Sequence, residues 1–393
     1  MELRIAVLSD LHAIGHSEND SGTSYLRANP SPSEPNLFED LQDTIKKNGI
    51  KADLVICPGD ICDRGDQIGF TFAWKNLHDL VPIFEAKELI ATCGNHDLDS
   101  RYASTSAHED PDPKGALLQA NPPFPFGDHD DTDRFWSRNF VIRQPLPGVN
   151  VIILNTSAYH GGANGELEHG RVSSRTIKSI VDKLANMAPA EINILVCHHH
   201  LQPHLAWSSS SIDTEYVKKG VDLLVALTEQ TRKTWLVIHG HRHIPQIVVS
   251  TSPSYTALGA ASFSRIGDQF SNQFHLIKLI SEPASPHMPL GGEIMTWNWS
   301  RAKKWAQYHD PTRGLPPICG FGYSGGIQYL SEQAKKALGA KPFLDWDELI
   351  LAVPEVKFLP PEKIESFRNE LRINGMNVLM TDDGIPKQIG KTT

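Results

Sequence analysis

Apolar and polar positions follow two different periods along the first 280 residues. Continuous apolar runs of the length that fills a buried strand fall at 5–8, 54–57, 89–91, 151–154, 192–197 and 235–238. Between them, apolar residues recur at helical spacing. Leu37, Leu41 and Ile45 share one face, opened by a capping-box-like Asn36 and Glu39 and closed by Gly49. Ile177, Ile180, Val181, Leu184 and Met187 predict a second helix after Ser173; Val217, Val221, Leu224 and Val225 predict a third. Alternation of strand and helix means an α/β fold with sheets and helices in layers.

After residue 245 the pattern changes to short strands, expected at 247–249, 255–258, 274–280 and 293–299, with Trp297 and Trp299 on one face. Residues 281–292 read as a Pro-rich hairpin or linker. Helices are expected at about 327–339 and 361–373, the second with Pro361 at its first position. The chain therefore divides into a body, 1–280, and a C-terminal extension, 281–393, made of a strand pair and then helices. Four long irregular connections, 13–35, 98–133, 158–172 and 201–214, each follow a strand end and can rim a site.

The polar residues with chemistry stand at five strand ends. They read Asp10-Leu11-His12, Gly59-Asp60-Ile61-Cys62-Asp63-Arg64-Gly65, Gly94-Asn95-His96-Asp97, His198-His199-His200 and His239-Gly240-His241-Arg242-His243. Ligands of open α/β sheets bind beyond the carboxyl ends of strands. Residues i and i+2 of an extended segment point the same way, so Asp10 with His12, and His241 with His243, can each chelate one ion. The glycines at 59, 94 and 240 allow sharp turns. Asp60 has two oxygens and can bridge two cations, and Asn95 offers a neutral oxygen.

In this order the strings are the signature of the calcineurin-like metallophosphoesterases, which the chain resembles over roughly residues 3–280. In motif style it looks most like the class III cyclic nucleotide phosphodiesterases. The resemblance implies a two-sheet sandwich flanked by helices (αββα) with a dinuclear metal site. One ion would be held by Asp10, His12, Asp60 and His243, the other by Asp60, Asn95, His198 and His241. His198 is preferred because it directly follows the apolar strand; His199 is the alternative. His96 would contact the phosphate with Asp97 as its partner, and Arg64 would grip phosphate or be structural. The implied chemistry is phosphoester hydrolysis by a water activated between two divalent transition ions, with Mn favoured over Fe, Zn or Co.

Composition narrows the substrate. The 393 residues carry a net charge of −9, and the acidity lies in the first 300. Nucleic-acid binders are normally basic, so bulk nucleic acid is disfavoured and a small nucleotide-like phosphodiester is expected. A nuclease, or a phosphomonoesterase or nucleotidase, is the alternative. A non-enzymatic scaffold is disfavoured because every ligand position is filled. No apolar run reaches transmembrane length and the N-terminus lacks a signal-peptide pattern. With five sparse cysteines, four of them beside the motifs, the expected compartment is the cytoplasm and the expected role of the thiols is core packing. Arg301, Lys303, Lys304 and Trp305 form a basic-aromatic cluster that reads as a solvated helix edge or as a partner or oligomer contact.

Overall fold

A computed structural model describes residues 1–15, 22–99, 113–160, 169–205, 212, 213, 215–267, 271–281, 288, 290–308, 314–382 and 384–392. The Ser run after Trp207 and most of the 281–292 linker lie outside them. Strands β1 (Glu2–Val7), β2 (Leu54–Cys57), β3 (Glu88–Ala91), β4 (Phe140–Arg143), β5 (Val149–Leu154) and β6 (Ile192–Val196) come first. A two-residue ladder, β7 (His204–Leu205) and β8 (Ile212–Asp213), precedes β9 (Trp235–His239), β10 (Gln246–Thr251) and β11 (Ser254–Gly259). Then follow β12 (Gln273–Ile280), β13 (Gly291–Ser300), β14 (Lys304–Ala306), β15 (Ile318–Phe321), β16 (Phe343–Asp345), β17 (Met376–Met380) and β18 (Pro386–Lys391). The helices are α1 (Leu37–Asn48), α2 (Gln67–Ile83), α3 (Gly115–Leu118), α4 (His129–Arg138), α5 (Ser174–Ala185), α6 (Gly220–Thr231), α7 (Ile327–Leu338), α8 (Trp346–Ala352) and α9 (Pro361–Ile373).

Two mixed sheets form the sandwich. The first runs β14-β13-β12-β1-β2-β3, with β15 also paired to β13; the second runs β10-β11-β9-β6-β5-β4. Their parallel parts are β1, β2 and β3 in one sheet and β5, β6, β9 and β11 in the other. The period-2 rule explains the core. Val151, Ile153, Ile194, Val196 and Ile238 join the cluster between the sheets, while Ile152, Leu154, Leu195 and Val237 pack outward with Ile180, Leu184, Leu223 and Leu227 of α5 and α6. Strands covered on both faces must be apolar throughout, hence the unbroken runs.

The expected helix ends are present. The Asn36 side chain accepts from Glu39 N, Gly49 takes the left-handed C-cap, and the Ser173 side chain accepts from Thr176 N. The third helix differs from expectation. It begins at Gly220, Val217 lies before it, and Val221 and Val225 are exposed while Leu223, Leu224 and Leu227 are buried. Val217 lies in the preceding loop, where its N–H donates to His200 O, and the buried face of the helix is that of Leu223, Leu224 and Leu227.

The first sheet continues beyond residue 280 through β13, β14 and β15. The basic-aromatic cluster lies at β14 rather than on a helix edge, and its contacts are internal. Trp305 Nε1 donates to Leu37 O at 3.0 Å, Lys304 pairs with Asp40 at 3.1 Å, and the Arg301 guanidinium lies 5.8 Å from the Tyr25 ring centre. From α7 onward a smaller unit forms on a three-stranded sheet, β16-β18-β17, with a core that includes Leu330, Leu349, Phe367, Leu371, Val378 and Ile389. No helix among the described residues is long and apolar enough to cross a membrane.

Candidate metal centre

The turns after β1, β2, β3, β6 and β9 meet at one end of the sandwich and bond to one another. Asp10 N donates to Gly59 O and His12 N to Asp60 O; Gly240 N donates to His198 O. His96 N donates to Asp60 Oδ1 at 2.8 Å, and His241 N to Asp10 Oδ1 at 2.9 Å. Asp10, His12, Asp60, His241 and His243 all take positive φ, between 44° and 76°. Such backbone costs about 1–3 kcal/mol per residue and persists only where the surroundings enforce it. Two glycines serve close approach rather than conformational freedom. A Cβ on Gly94 would lie 2.1 Å from Asp60 Oδ1, and one on Gly240 2.2 Å from Asp10 Oδ2.

The side chains converge as two groups that share Asp60. In the first, His12 Nε2 lies 3.0 Å from His243 Nε2 and 3.7 Å from Asp60 Oδ2, and His243 Nε2 lies 3.3 Å from Asp10 Oδ1. In the second, His198 Nε2 lies 3.2 Å from Asp60 Oδ2 and 3.2 Å from Asn95 Oδ1, and His241 Nδ1 lies 3.1 Å from Asn95 Oδ1. Donors about 2.1 Å from a common ion lie roughly 3.0–3.4 Å apart, so both groups fit a divalent transition ion. The far nitrogen of His198 donates to Pro58 O at 3.0 Å, and that of His12 faces Asp63 Oδ1 at 3.3 Å. Those oxygens accept from a protonated Nδ1 and so leave Nε2 as the acceptor in both rings. His199 turns Nδ1 to Thr156 Oγ1 at 2.8 Å, although its ring stays near the donors of His198 and His241. Asp10, His12, Asp60 and His243 form one buried cluster suited to a cation.

Beside the first group stands His96, with 27% of its side chain exposed. Asp63, not Asp97, is its partner: His96 Nδ1 lies 2.8 Å from Asp63 Oδ1. Asp97 is fully buried and accepts from Cys62 N at 2.9 Å and Gly94 N at 2.8 Å, which ties the second motif to the third. The expected His96–Asp97 pairing fails because adjacent side chains diverge at this turn and the Asp97 oxygens are consumed by backbone donors. Burial, then the Asp60 charge, pushes the Asp97 carboxyl up. Burial alone would push His96 down, but Asp60 and Asp63 outweigh it and hold the imidazole above its ordinary value. Burial drives His12 down to about 4. Asp63 is lowered against its own burial by hydrogen bonds with His12 and His96.

Arg64 points away: its side chain is 66% exposed and its Nε is 4.0 Å from Asp63 Oδ2. Arg265 instead reaches the cluster, with Nη1 3.5 Å from both Asp63 Oδ1 and His12 Nδ1. Asp63 stood in the quoted motif, three residues after Asp60, and its fixed offset was the available signal. Arg265 follows β11 and carried no local signal.

This fold and these paired Asp/His groups define a metal-binding phosphoesterase class. The chain belongs to the calcineurin-like phosphoesterase family, which matches residues 3–245. No curated protein matches it by sequence. Among solved structures it is similar to PhoD (10% identity, 82% of this chain and 70% of that one, TM-score 0.47). It is also similar to GAP50 of the Plasmodium inner membrane complex (13%, 75% and 84%, 0.39). A third likeness is Vacuolar Protein Sorting 29 from Cryptosporidium parvum (12%, 77% and 94%, 0.31).

Proposed function

We propose that this chain is a phosphodiesterase that hydrolyses a small nucleotide-like phosphodiester with two divalent ions, Mn favoured. The observation that carries the reading is the sharing of Asp60 Oδ2 between the His12 group and the His198 group, at 3.7 and 3.2 Å. Asp10, His12, Asp60 and His243 would hold one ion; Asp60, Asn95, His198 and His241 the other. When bound, such a pair acidifies water and neutralises charge on phosphoryl oxygens.

The protein's own groups supply orientation and proton transfer. His96 keeps Nδ1 on Asp63, which leaves Nε2 to carry a proton toward the leaving oxygen. Asp63 stabilises the charged imidazole in the meantime. Asp97 braces the turns that carry Asp60 and Asn95. Arg64, exposed at the rim with Nε 4.0 Å from Asp63 Oδ2, would grip a substrate phosphate or serve structurally.

Support for a small diester comes from the motif style and from the net charge of −9, which disfavours a long polyanion. The five free, buried thiols suit a reducing compartment, the cytoplasm. The test is a hydrolysis panel with added Mn²⁺ comparing bis-p-nitrophenyl phosphate, p-nitrophenyl phosphate, 3′,5′- and 2′,3′-cyclic nucleotides and single-stranded DNA. Diesters should be cleaved more efficiently than the monoester. A monoester preference by a wide margin replaces this reading with a phosphatase or nucleotidase, and preferred cleavage of DNA replaces it with a nuclease.

A further inference from the structure

We infer that Arg265 is a positioning residue of the metal centre, the cation that holds the Asp63 carboxylate between His12 and His96. The inference rests on the dinuclear reading above.

The starting point is the demand placed on one oxygen. Asp63 Oδ1 lies 3.3 Å from His12 Nδ1 and 2.8 Å from His96 Nδ1, so it orients a metal-ligand candidate and the phosphate-facing imidazole together. A carboxylate this deeply placed is held in one orientation only by the donors and cations that meet its oxygens. Arg265 Nη1 lies 3.5 Å from the same oxygen, and only 20% of its side chain is exposed. Thr23 Oγ1 donates to the other oxygen at 3.4 Å.

The delivery of Arg265 is built into the backbone. Phe263 N donates to Ser9 O at 2.8 Å, Ser262 Oγ donates to Asp10 O at 2.6 Å, and Ser264 Oγ donates to Leu11 O. Arg265 N donates to Ser262 Oγ at 2.9 Å, and Asn272 Nδ2 donates to Arg265 O at 2.9 Å. Residues 262–265 therefore clasp the very turn in which Asp10 and His12 take positive φ. The clasp and the guanidinium arrive together, so Arg265 is registered to His12 through main chain and not through a flexible surface loop.

This placement predicts an asymmetry. Among the described residues of the centre, the ion-pair and hydrogen-bond distances of the Arg265 guanidinium are to Asp63 and to the outer nitrogen of His12, on the side of the first group. Outer partners of metal-bound histidines typically alter affinity or activity about 10–100-fold. The experiment titrates the full-length apoprotein with Mn²⁺ by calorimetry, alongside elemental analysis, for the wild type, Arg265→Gln and Arg265→Lys. The wild type should bind two ions in resolvable steps. Arg265→Gln should weaken one step about 10–100-fold and leave the other unchanged. It should lower kcat with little change in KM, and Arg265→Lys should recover part of both losses. The melting temperature of each apoprotein reports folding separately. Equal weakening of both steps, or none, overturns the inference while leaving the dinuclear reading intact. A wild type that binds fewer than two ions overturns both.

Discussion

The body and the C-terminal unit solve the same folding problem with different tolerances for strain. Among the described residues from 324 onward, only glycines (Gly339, Gly375 and Gly384) have positive φ. In the body, Asp10, His12, Asp60, His241 and His243 adopt that conformation without being glycine. The same contrast appears in burial. The body buries Asp10, His12, Asp60, Asp63, Asp97 and the triple histidine, whereas Ser331 is the only buried polar residue among the described residues of the C-terminal unit. Strain and buried charge are stability costs that a plain folding unit avoids. Glu85, Asn139, Lys219, Arg232 and Lys304 also take positive φ, but among the described residues the candidate metal centre alone combines such strain with the buried carboxylates Asp10, Asp60, Asp63 and Asp97.

The sharpest way to break this comparison is at the shared carboxylate. Asp60→Asn should abolish turnover and reduce bound metal below the wild-type content, measured by hydrolysis and elemental analysis, while the circular dichroism spectrum stays native. Full activity in a thoroughly chelated preparation would remove the basis for the contrast.

His96→Ala comes next. A general acid matters most for poor leaving groups, so loss should be about 10²–10⁴-fold on an alkyl ester such as a cyclic nucleotide. Loss on an aryl ester should be much smaller, with metal content unchanged. Asp63→Asn should show a milder form of that selectivity. Asp97→Asn should instead lower the melting temperature, because its oxygens brace backbone. Equal losses on both esters would reassign His96 to binding.

The C-terminal unit should respond in stability only. Leu371 is fully buried in its core, and Leu371→Ala should cost about 2–5 kcal/mol in urea denaturation. Its kcat at temperatures below unfolding should match the wild type; a matching fall in kcat would show that the unit bears on the site.

The pH response tests a buried group of the body, opposite Val7 on β1, whose shift has burial as its only cause. His275 on β12 is fully buried, with Nδ1 3.0 Å from Thr296 Oγ1, and burial lowers its pKa to about 3. An unfolded histidine titrates near 6.5, so below that pH the unfolded state binds the proton and the folded state does not. The stability advantage is whole above about pH 6.5 and is lost as pH falls toward about 3. The urea midpoint of wild type relative to His275→Gln should fall across that window, and a flat difference would contradict it.

The smallest effect should come from thiol reagents. Cys57, Cys62, Cys93, Cys197 and Cys319 are all free and buried. Burial pushes the Cys319 thiol up to about 12 and raises the other four thiols as well. The native protein should react negligibly with an aromatic disulfide reagent and release five equivalents only in denaturant. Rapid inactivation would show that the ligand turns open.

Legibility in the sequence followed the range of the interaction. The five ligand-bearing strand ends were readable because an apolar run and the polar residues after it are contiguous. So were α1, α7 and α9, whose caps or periodicity are local. Helix α2 and strands β16, β17 and β18 were not singled out; β16 is only three residues long, and exposed and buried positions are mixed in β17 and β18. The partner of His96 is not legible from adjacency in sequence, because Asp97 bonds to backbone while Asp63 meets the ring. Arg265 could not be found at all, since it meets Asp63 across a separation of 202 residues.

The pairing of β1 with β12 bears on biosynthesis. Glu2 lies opposite Ile280, and β1 sits in the interior of its sheet between β12 and β2. Strand β1 therefore waits for one of its two neighbours until β12, which begins at Gln273, has been made, and the clasp from Ser262 to Arg265 arrives only shortly before. Long-range pairing of this kind is slow and leaves an unpaired edge exposed meanwhile. A nascent chain has to be kept from aggregating until β12 is made, and its candidate metal centre can be assembled only after His243 and the clasp through Arg265 have been made.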